Sequence, residues 1–334
     1  MSSDKTISAL TNQKVLITGG AGYLAASVVG LLKDADCTII RLDRESAYFT
    51  PVRGEARVED VRHDLRDPDI WPRVLAGVDI VYHFAAQTSV YAAEDAPAQD
   101  QRVNVLPMLH LLEACRKNAW TPKVVFAGTV TEAGLTASVP VDESHPDVPI
   151  TVYDNHKLMA ELYLKQYARD GKVRGVVLRL ANLYGPGPRS SSADRGIMNL
   201  MIRRALDGKE LTIYGDGRHV RDYVHVDDVA AAFLLAAAHA GRLSGNHYVI
   251  GSGTGHTLAD AIHLVAARVE RKTGRRVAVT HVPPPARFSP IENRDFVANT
   301  TKFASATGWR ANVSLEQGID RTIDAFLTEA QQGS

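Results

Sequence analysis

Hydrophobic positions in the first half of the chain follow two periods in turn. Short runs with the length of sheet strands fall at Lys14–Thr18, Thr38–Asp43, Arg57–His63, Ile80–Phe84, Lys123–Ala127 and Gly175–Leu180. Between them, apolar residues recur at helical spacing in Tyr23–Lys33, Ile70–Leu75, Ala98–Asn118 and Tyr153–Arg169. Strands and helices alternating in this way predict an α/β fold with a doubly wound parallel sheet, because parallel neighbours need a crossover helix. The pattern changes after Tyr184. Gly185-Pro186-Gly187-Pro188 and the serine-rich stretch to Ala193 read as a loop. Helices at Ile197–Leu206 and Thr257–Lys272 then mix with short strands at Leu211–Tyr214 and His247–Ile250. This region predicts a second, smaller mixed α/β domain over 183–334, set against a first domain over 13–182. The helix Asp227–Ala240 is expected to pack back on the first domain, a return of about 220–240 that interleaves the two. Residues 1–12 are polar and read as a disordered tail.

Composition narrows the function classes. The chain has 334 residues, and its 38 lysines and arginines balance its 38 aspartates and glutamates, so no basic surplus points to nucleic acid. Cys37 and Cys115 sit in apolar periodic segments and read as core thiols of a reducing compartment. Neither they nor the 12 histidines show metal-ligand spacing, so no metal site is expected. The run Val229–Ala240 is too short to span a bilayer, and the N-terminus lacks an apolar signal core. The expectation is a soluble cytoplasmic protein without a membrane partner.

The chemistry begins at Val15–Ser27, where a short apolar run meets Gly19-Gly20-Ala21-Gly22 and then a helical segment. Strand, Gly-rich turn and helix in that order make a Rossmann-type dinucleotide site. Gly19 and Gly22 permit a tight turn and close approach of a pyrophosphate, which rests on the N–H groups of the helix start. Ala25 stands where a third glycine is usual. Asp43 ends the second strand, about twenty residues on, where a carboxylate accepts both ribose hydroxyls. That favours NAD, while Arg44 beside it is placed to meet a 2′-phosphate and leaves NADP open. Of the 11 tyrosines only Tyr153 has a lysine four residues later, Lys157, and on a helix the two share a face. An ammonium there favours the phenolate a general base needs. Thr129, at the C-terminal edge of the Lys123–Ala127 strand, offers a hydroxyl where open α/β sheets bind ligands. Thr129, Tyr153 and Lys157 together suit a proton relay between an alcohol and a ketone.

With these residues the chain resembles the extended short-chain dehydrogenase/reductase family, in its nucleotide-sugar epimerase/dehydratase branch, over about residues 13–327. The matching motifs are Thr18–Tyr23, His63–Asp67, Tyr82–Gln87, Val103-Asn104-Val105 with Leu111–Ala114, Tyr153-x-x-x-Lys157 and Asn182–Pro186. Tyr214–Gly217 with Arg221–Asp228, Thr307-Gly308-Trp309 and Ser314–Gly318 complete the set. The resemblance implies that Tyr153 is the acid/base, that Lys157 binds the nicotinamide ribose and that Thr129 bonds the sugar hydroxyl being oxidised. It implies that Tyr23 and Leu24 border the cofactor, that Asp64 and Leu65 hold the adenine, and that Phe84, Ala85, Ala86, Gln87 and Asn104 line the rest. It places Thr88, Asn182, Asn199, Tyr214 and Arg221 at a nucleoside-diphosphate sugar, with Arg287 and Arg294 competing for the second diphosphate arginine. It further implies a homodimer through helices 98–118 and 153–169, paired across a twofold axis.

Departures from the family pattern bear on the substrate. Dehydratases of this branch carry Thr-Asp-Glu from the Thr129 position, and this chain has Val130 and Thr131 there, with Glu132 one residue late. The family's following Tyr-Gly is Ala133-Gly134, which opens space near the sugar. The expected reaction is therefore epimerisation at C4 through a 4-keto sugar. A nucleotide-sugar 4-ketoreductase using NAD(P)H is the alternative, and a catalytically silent NAD(P) sensor a third reading, one that predicts a broken Tyr/Lys pair.

Overall fold

The computed structural model describes residues 10–188 and 196–332. Its strands are β1 (Lys14–Thr18), β2 (Thr38–Asp43), β3 (Arg57–Arg62), β4 (Ile80–His83), β5 (Lys123–Thr129), β6 (Arg174–Leu180), β7 (Asn182–Tyr184), β8 (Leu211–Tyr214), β9 (Val220–His225), β10 (Asn246–Ile250), β11 (Gly255–Thr257) and β12 (Val279–Val282). Seven of them form the main sheet in the order β10-β6-β5-β4-β1-β2-β3, with every pair parallel. This is the doubly wound arrangement the patterning predicts, and the order reverses beside β1. Ligands of such sheets bind at the carboxyl ends of the strands at that switch point.

The strands read as nearly continuous apolar runs because both faces are covered. Ile17, Tyr82, Val125 and Val176 face a layer containing Val28, Leu32, Val229 and Phe233. Their neighbours Leu16, Val81, Val124 and Val177 face Trp71, Met108, Leu111 and Leu164. Adjacent residues feed opposite layers, as the pleat requires. Smaller sheets, β11-β9-β7 and β12-β8, belong to a separate core built on Met198, Ile202, Ile213, Tyr223, Val265, Ile319 and Phe326. Cys37 and Cys115 are free and buried.

Several segments differ from the pattern. Ala98–Asn118 is two helices, Pro97–Asn104 and Leu106–Asn118, because Pro107 lacks the N–H that would tie the second helix to the first. The chain returns to the main sheet with β10 as well as with the helix Val226–Ala238. Leu10 is fully buried and Asn12 N–H donates to Asp36 O at 2.6 Å, so residues 10–12 belong to the folded body and not to a tail. Residues 1–9, like the loop residues 189–193, lie outside the described residues.

Candidate active site

The carboxyl ends of β1, β2 and β4 form one wall. Gly19 takes φ +66°, and a Cβ there would lie 2.8 Å from Ala85 N, so only glycine lets the two loops close on each other. Gly22 is the N-cap of the helix Tyr23–Leu32, which has no side-chain cap, and this suits its first N–H groups to a phosphate. Asp43 Oδ2 accepts from Ala21 N at 3.1 Å and Oδ1 from Arg44 N at 2.8 Å, which places the carboxylate against the Gly-rich turn while Arg44 stays exposed. These residues fit a dinucleotide.

Around the wall, Asp64 is exposed and its hydrogen bond and ion pair with Arg66 hold its carboxyl below the usual range. Leu65 O accepts from Trp71 Nε1 at 3.1 Å, Leu24 is buried, and Phe84 stacks edge-on against Phe233. Gln87 and Asn104 hold each other: Gln87 N donates to Asn104 Oδ1 and Asn104 Nδ2 to Gln87 O, both at 3.0 Å. Their amides therefore fix the loop carrying Ala85, Ala86 and the half-buried Thr88. Asp100, buried behind them, accepts from Gln87 Nε2 and pairs with His156 Nδ1, each at 2.6 Å.

The helix Val152–Arg169 packs on β5 and β6 and brings Tyr153 and Lys157 to the end of β5. Thr151 caps it by accepting from Asp154 N at 3.1 Å. Lys157 is buried, with Nζ 2.7 Å from Ala127 O and 4.0 Å from the Phe126 ring centroid. Burial pushes its pKa down to about 8, against the raising influence of Glu132, Asp100 and Glu161. Thr129 ends β5 and caps the following 3-10 turn, Val130–Ala133. Its Oγ1 lies 2.8 Å from Thr131 Oγ1, and Thr131 donates to Asp154 Oδ1 at 2.5 Å. Tyr153 packs in one small apolar cluster with Val90, Ala93 and Ile291.

The 3-10 turn carries Glu132 away from the substrate side. One oxygen accepts from Thr129 N at 3.2 Å and the other lies 3.0 Å from Arg179 Nε. Arg179 also binds Glu161 at 2.7 Å and Asp147 at 2.5 Å, and Glu161 pairs with Lys165 and with His247 at 3.2 Å. Burial, and the charge of Glu161, push the Glu132 carboxyl well up. For Glu161 burial also pushes up, but His247, Arg179 and Lys165 outweigh it and hold the carboxyl low. Thr131, Asp154, Arg179 and Glu161 lie too far apart along the chain to read as one assembly in the sequence. The only sequence signal is the acidic residue directly after Tyr153.

On the second domain, Asn182, Arg221 and Arg294 come together at the turn Pro290–Asn293. Arg221 donates to Arg294 O and, at 2.7 Å, to Glu292 O. Arg294 donates to Ile291 O at 3.0 Å and to Asn182 Oδ1 at 3.4 Å. Arg287 stands apart, exposed and paired with Asp95 at 2.8 Å, so Arg294 is the arginine that shares a neighbourhood with Arg221. Asp222 faces elsewhere, accepting from Ser252, Gly253 and Ala298 N–H groups, and is no surface partner for Arg221. Tyr214 is 47% exposed and lies edge-on to Phe288. Asn199 clamps Gly185 through its N–H at 3.1 Å and its C=O at 2.9 Å, and a Cβ on Gly187 would lie 2.7 Å from the Tyr23 ring. Asn199 and Tyr23 thus shape the loop over the site.

A parallel sheet of this order, a Gly-rich turn at its switch point and a Tyr/Lys pair on the helix packed against the strand that ends in Thr129 define the short-chain dehydrogenase/reductase class. The chain belongs to the NAD dependent epimerase/dehydratase family, whose profile matches residues 15–251, and NAD is its cofactor. It is 32% identical over 333 residues to the UDP-glucose 4-epimerase of Azospirillum brasilense, covering 96% of this chain and 93% of that one. The UDP-glucose 4-epimerase of Thermotoga maritima, solved with UDP-glucose, superposes with a TM-score of 0.84 at 30% identity, covering 95% of this chain and 100% of that one. The enzyme of the same description from Thermus thermophilus, solved with NAD, gives a TM-score of 0.80 at 32% identity, covering 94% of this chain and 99% of that one.

Proposed function

We propose that the protein is a nucleotide-sugar epimerase acting at C4, with a uridine diphosphate sugar as the first substrate to try. One observation carries the reading. Tyr153 shares its apolar cluster with Ile291, and the carbonyls of that same turn hold Arg221 and Arg294. The turn that packs against Tyr153 thus also holds two guanidinium groups, whose forked donors match diphosphate oxygens. The turned-away Glu132 argues against a dehydratase, which needs a carboxylic acid facing the sugar. The proposed relatives in function are the epimerases named above.

In this reading Gly19, Gly22 and Asp43 hold NAD, and Lys157 binds its nicotinamide ribose; the cofactor supplies a reversible hydride acceptor. Arg221, Arg294 and Asn182 bind the diphosphate end, and Tyr214 borders the nucleotide. Tyr153 takes the proton of the C4 hydroxyl and returns it once the 4-keto ring has presented its other face. Orientation by these residues is what makes the proton transfer effectively intramolecular. The enzyme is proposed to work as a homodimer through helices 98–118 and 153–169, on whose outer side Leu162 and Tyr163 are 51% and 37% exposed. None of the described helices is long and apolar enough to cross a membrane. The two buried free thiols suit a cytoplasmic setting.

The test gives purified enzyme a panel of UDP-, dTDP-, CDP- and GDP-sugars and their 4-keto forms without added cofactor. The expected result is the C4 epimer, formed catalytically with no net change in nicotinamide absorbance. Turnover of 4-keto sugars alone, with stoichiometric loss of NAD(P)H, would make it a ketoreductase. Silence across the panel with cofactor bound would make it a sensor.

A further inference from the structure

The loop after β4 and the helix that carries Tyr153 and Lys157 come from distant parts of the chain, and one carboxyl group joins them. Asp100 is buried on the helix Pro97–Asn104. Its Oδ1 accepts from Gln87 Nε2 at 2.6 Å and from Asn104 Nδ2 at 2.9 Å. Each amide spends its second N–H on the same loop, Gln87 on Ser89 O at 2.8 Å and Asn104 on Gln87 O at 3.0 Å. The other oxygen, Oδ2, lies 2.6 Å from His156 Nδ1. The bridge stands whichever of Asp100 and His156 holds the proton between them, because the amides only donate and Oδ1 accepts from them in either state. His156 stands directly before Lys157, about 100° around the helix from it. Lys157 is pinned to β5 through Ala127 O at 2.7 Å, and His156 to the helix Pro97–Asn104. Two adjacent side chains tied to two different elements fix the rotation of their helix about its own axis. The loop is tied on its far side too, where Ala85 N donates to Thr18 Oγ1 at 3.3 Å.

We propose that Asp100 and His156 are positioning residues for the cofactor, whose bridge sets the spacing between the Ala85–Gln87 loop and Lys157. The inference rests on the assignment of that loop and of Lys157 to NAD, and deepens it. A ligand that touches both sides gains most when their spacing is fixed before it arrives, since no ordering cost is then subtracted from its contacts. Apolar packing could hold these elements together, but it is non-directional. Hydrogen bonds of 2.6 and 2.9 Å fix distance and angle as well. The bridge does not reach the nucleotide end of the site, where Arg221 and Arg294 bond to the carbonyls of the turn Pro290–Asn293. Its effect is therefore confined to the cofactor side.

The experiment follows exchange of bound NAD for isotopically labelled NAD in purified holoenzyme, with UDP affinity by calorimetry and unfolding free energy by urea titration alongside. His156→Leu removes the bridge. His156→Asn keeps it, because an asparagine amide nitrogen can take the place of Nδ1. The double variant Asp100→Asn/His156→Leu keeps an oxygen for the Gln87 and Asn104 amides without leaving a buried carboxyl half-bonded, and serves if the single variant does not fold. Both leucine variants should exchange NAD about ten-fold faster, the worth of one hydrogen bond, while His156→Asn exchanges at the wild-type rate. UDP should bind all of them equally. A role confined to holding the fold together would lower the unfolding free energy of the leucine variants and leave NAD exchange unchanged, and that result overturns the proposal. Lys157→Met separates the two ways of failing. Faster exchange there alone sinks the bridge, and wild-type exchange in every variant sinks the assignment of Lys157 to NAD with it. Faster exchange in the leucine variants of an enzyme that epimerises none of the panel upholds the proposal and sinks the C4 reading instead.

Discussion

At the scale of single residues, the buried lysine has the clearest consequence. Its folded pKa of about 8 lies below its ordinary 10.5, so between those values the unfolded chain binds more protons than the native one. Stability contributed by this group therefore rises with pH from about 8 to about 10.5, and below that window the buried charge costs on the order of 3 kcal/mol. Lys157→Met should then raise the unfolding free energy at pH 7 by up to about 3 kcal/mol in urea titrations while cutting kcat by at least about 10²-fold. A variant that loses both stability and activity would contradict this. On the substrate side, Arg221→Met and Arg294→Met should each weaken UDP binding by about 10- to 100-fold in calorimetry, the worth of a charge-assisted hydrogen bond. Arg287→Met should leave it unchanged. The placement of Lys157 at β5, of Asp43 against the Gly-rich turn and of Gly19 at a left-handed position was legible in the sequence because each rests on local spacing. The choice between Arg287 and Arg294 was not, because it depends on which one the Pro290–Asn293 turn faces toward Asn182.

At the scale of elements, β5 and its 3-10 turn form the part that carries the alcohol contact. They are anchored by Arg179 on the neighbouring strand, which serves the three carboxylates Glu132, Asp147 and Glu161. Replacing a whole buried ion cluster by apolar residues can be neutral, but removing its cation strands the anions. Arg179→Met should therefore cost about 3–5 kcal/mol by urea unfolding, far beyond an exposed change such as Arg218→Met. The Gly-rich turn gives a sharper functional test. Gly19→Ala puts a Cβ at a left-handed position 2.8 Å from Ala85 N, so the purified variant should lose at least about ten-fold of its bound NAD, measured by absorbance after denaturation. The patterning predicted all seven main-sheet strands, although it set His247–Ile250 in the second domain, whereas β7, β9, β11 and β12 escaped. Val220–His225 mixes charged and apolar residues because its arginine and aspartate serve opposite neighbours, so no period marks it. The break at Val105 was written in the sequence as Pro107, but a continuous leucine stripe hid it.

At the scale of the whole molecule, the helices Leu106–Asn118 and Val152–Arg169 lie side by side and are joined by a Tyr167 to Glu113 hydrogen bond. With Leu162 exposed on that face, the proposed dimer should sediment at twice the 36.3 kDa chain mass. Leu162→Arg should yield monomers in analytical ultracentrifugation, and a wild type that sediments as a monomer would remove the dimer from the proposal.

The place of β10 in the main sheet bears on how the chain comes to be folded. Residues 246–250 pair with β6, and the helix Val226–Ala238 closes one face with Phe233 against Phe84, so that sheet is finished only by segments synthesised late. On the ribosome nearly three-quarters of the polypeptide must emerge while β6 still exposes an unpaired edge, a state open to association with other nascent chains. A fragment ending at Asn182 should accordingly aggregate, whereas one supplied in trans with residues 183–334 regains solubility if the two halves find each other. The dinucleotide fold of this protein is thus a product of its whole length, and chaperone demand should peak midway through translation.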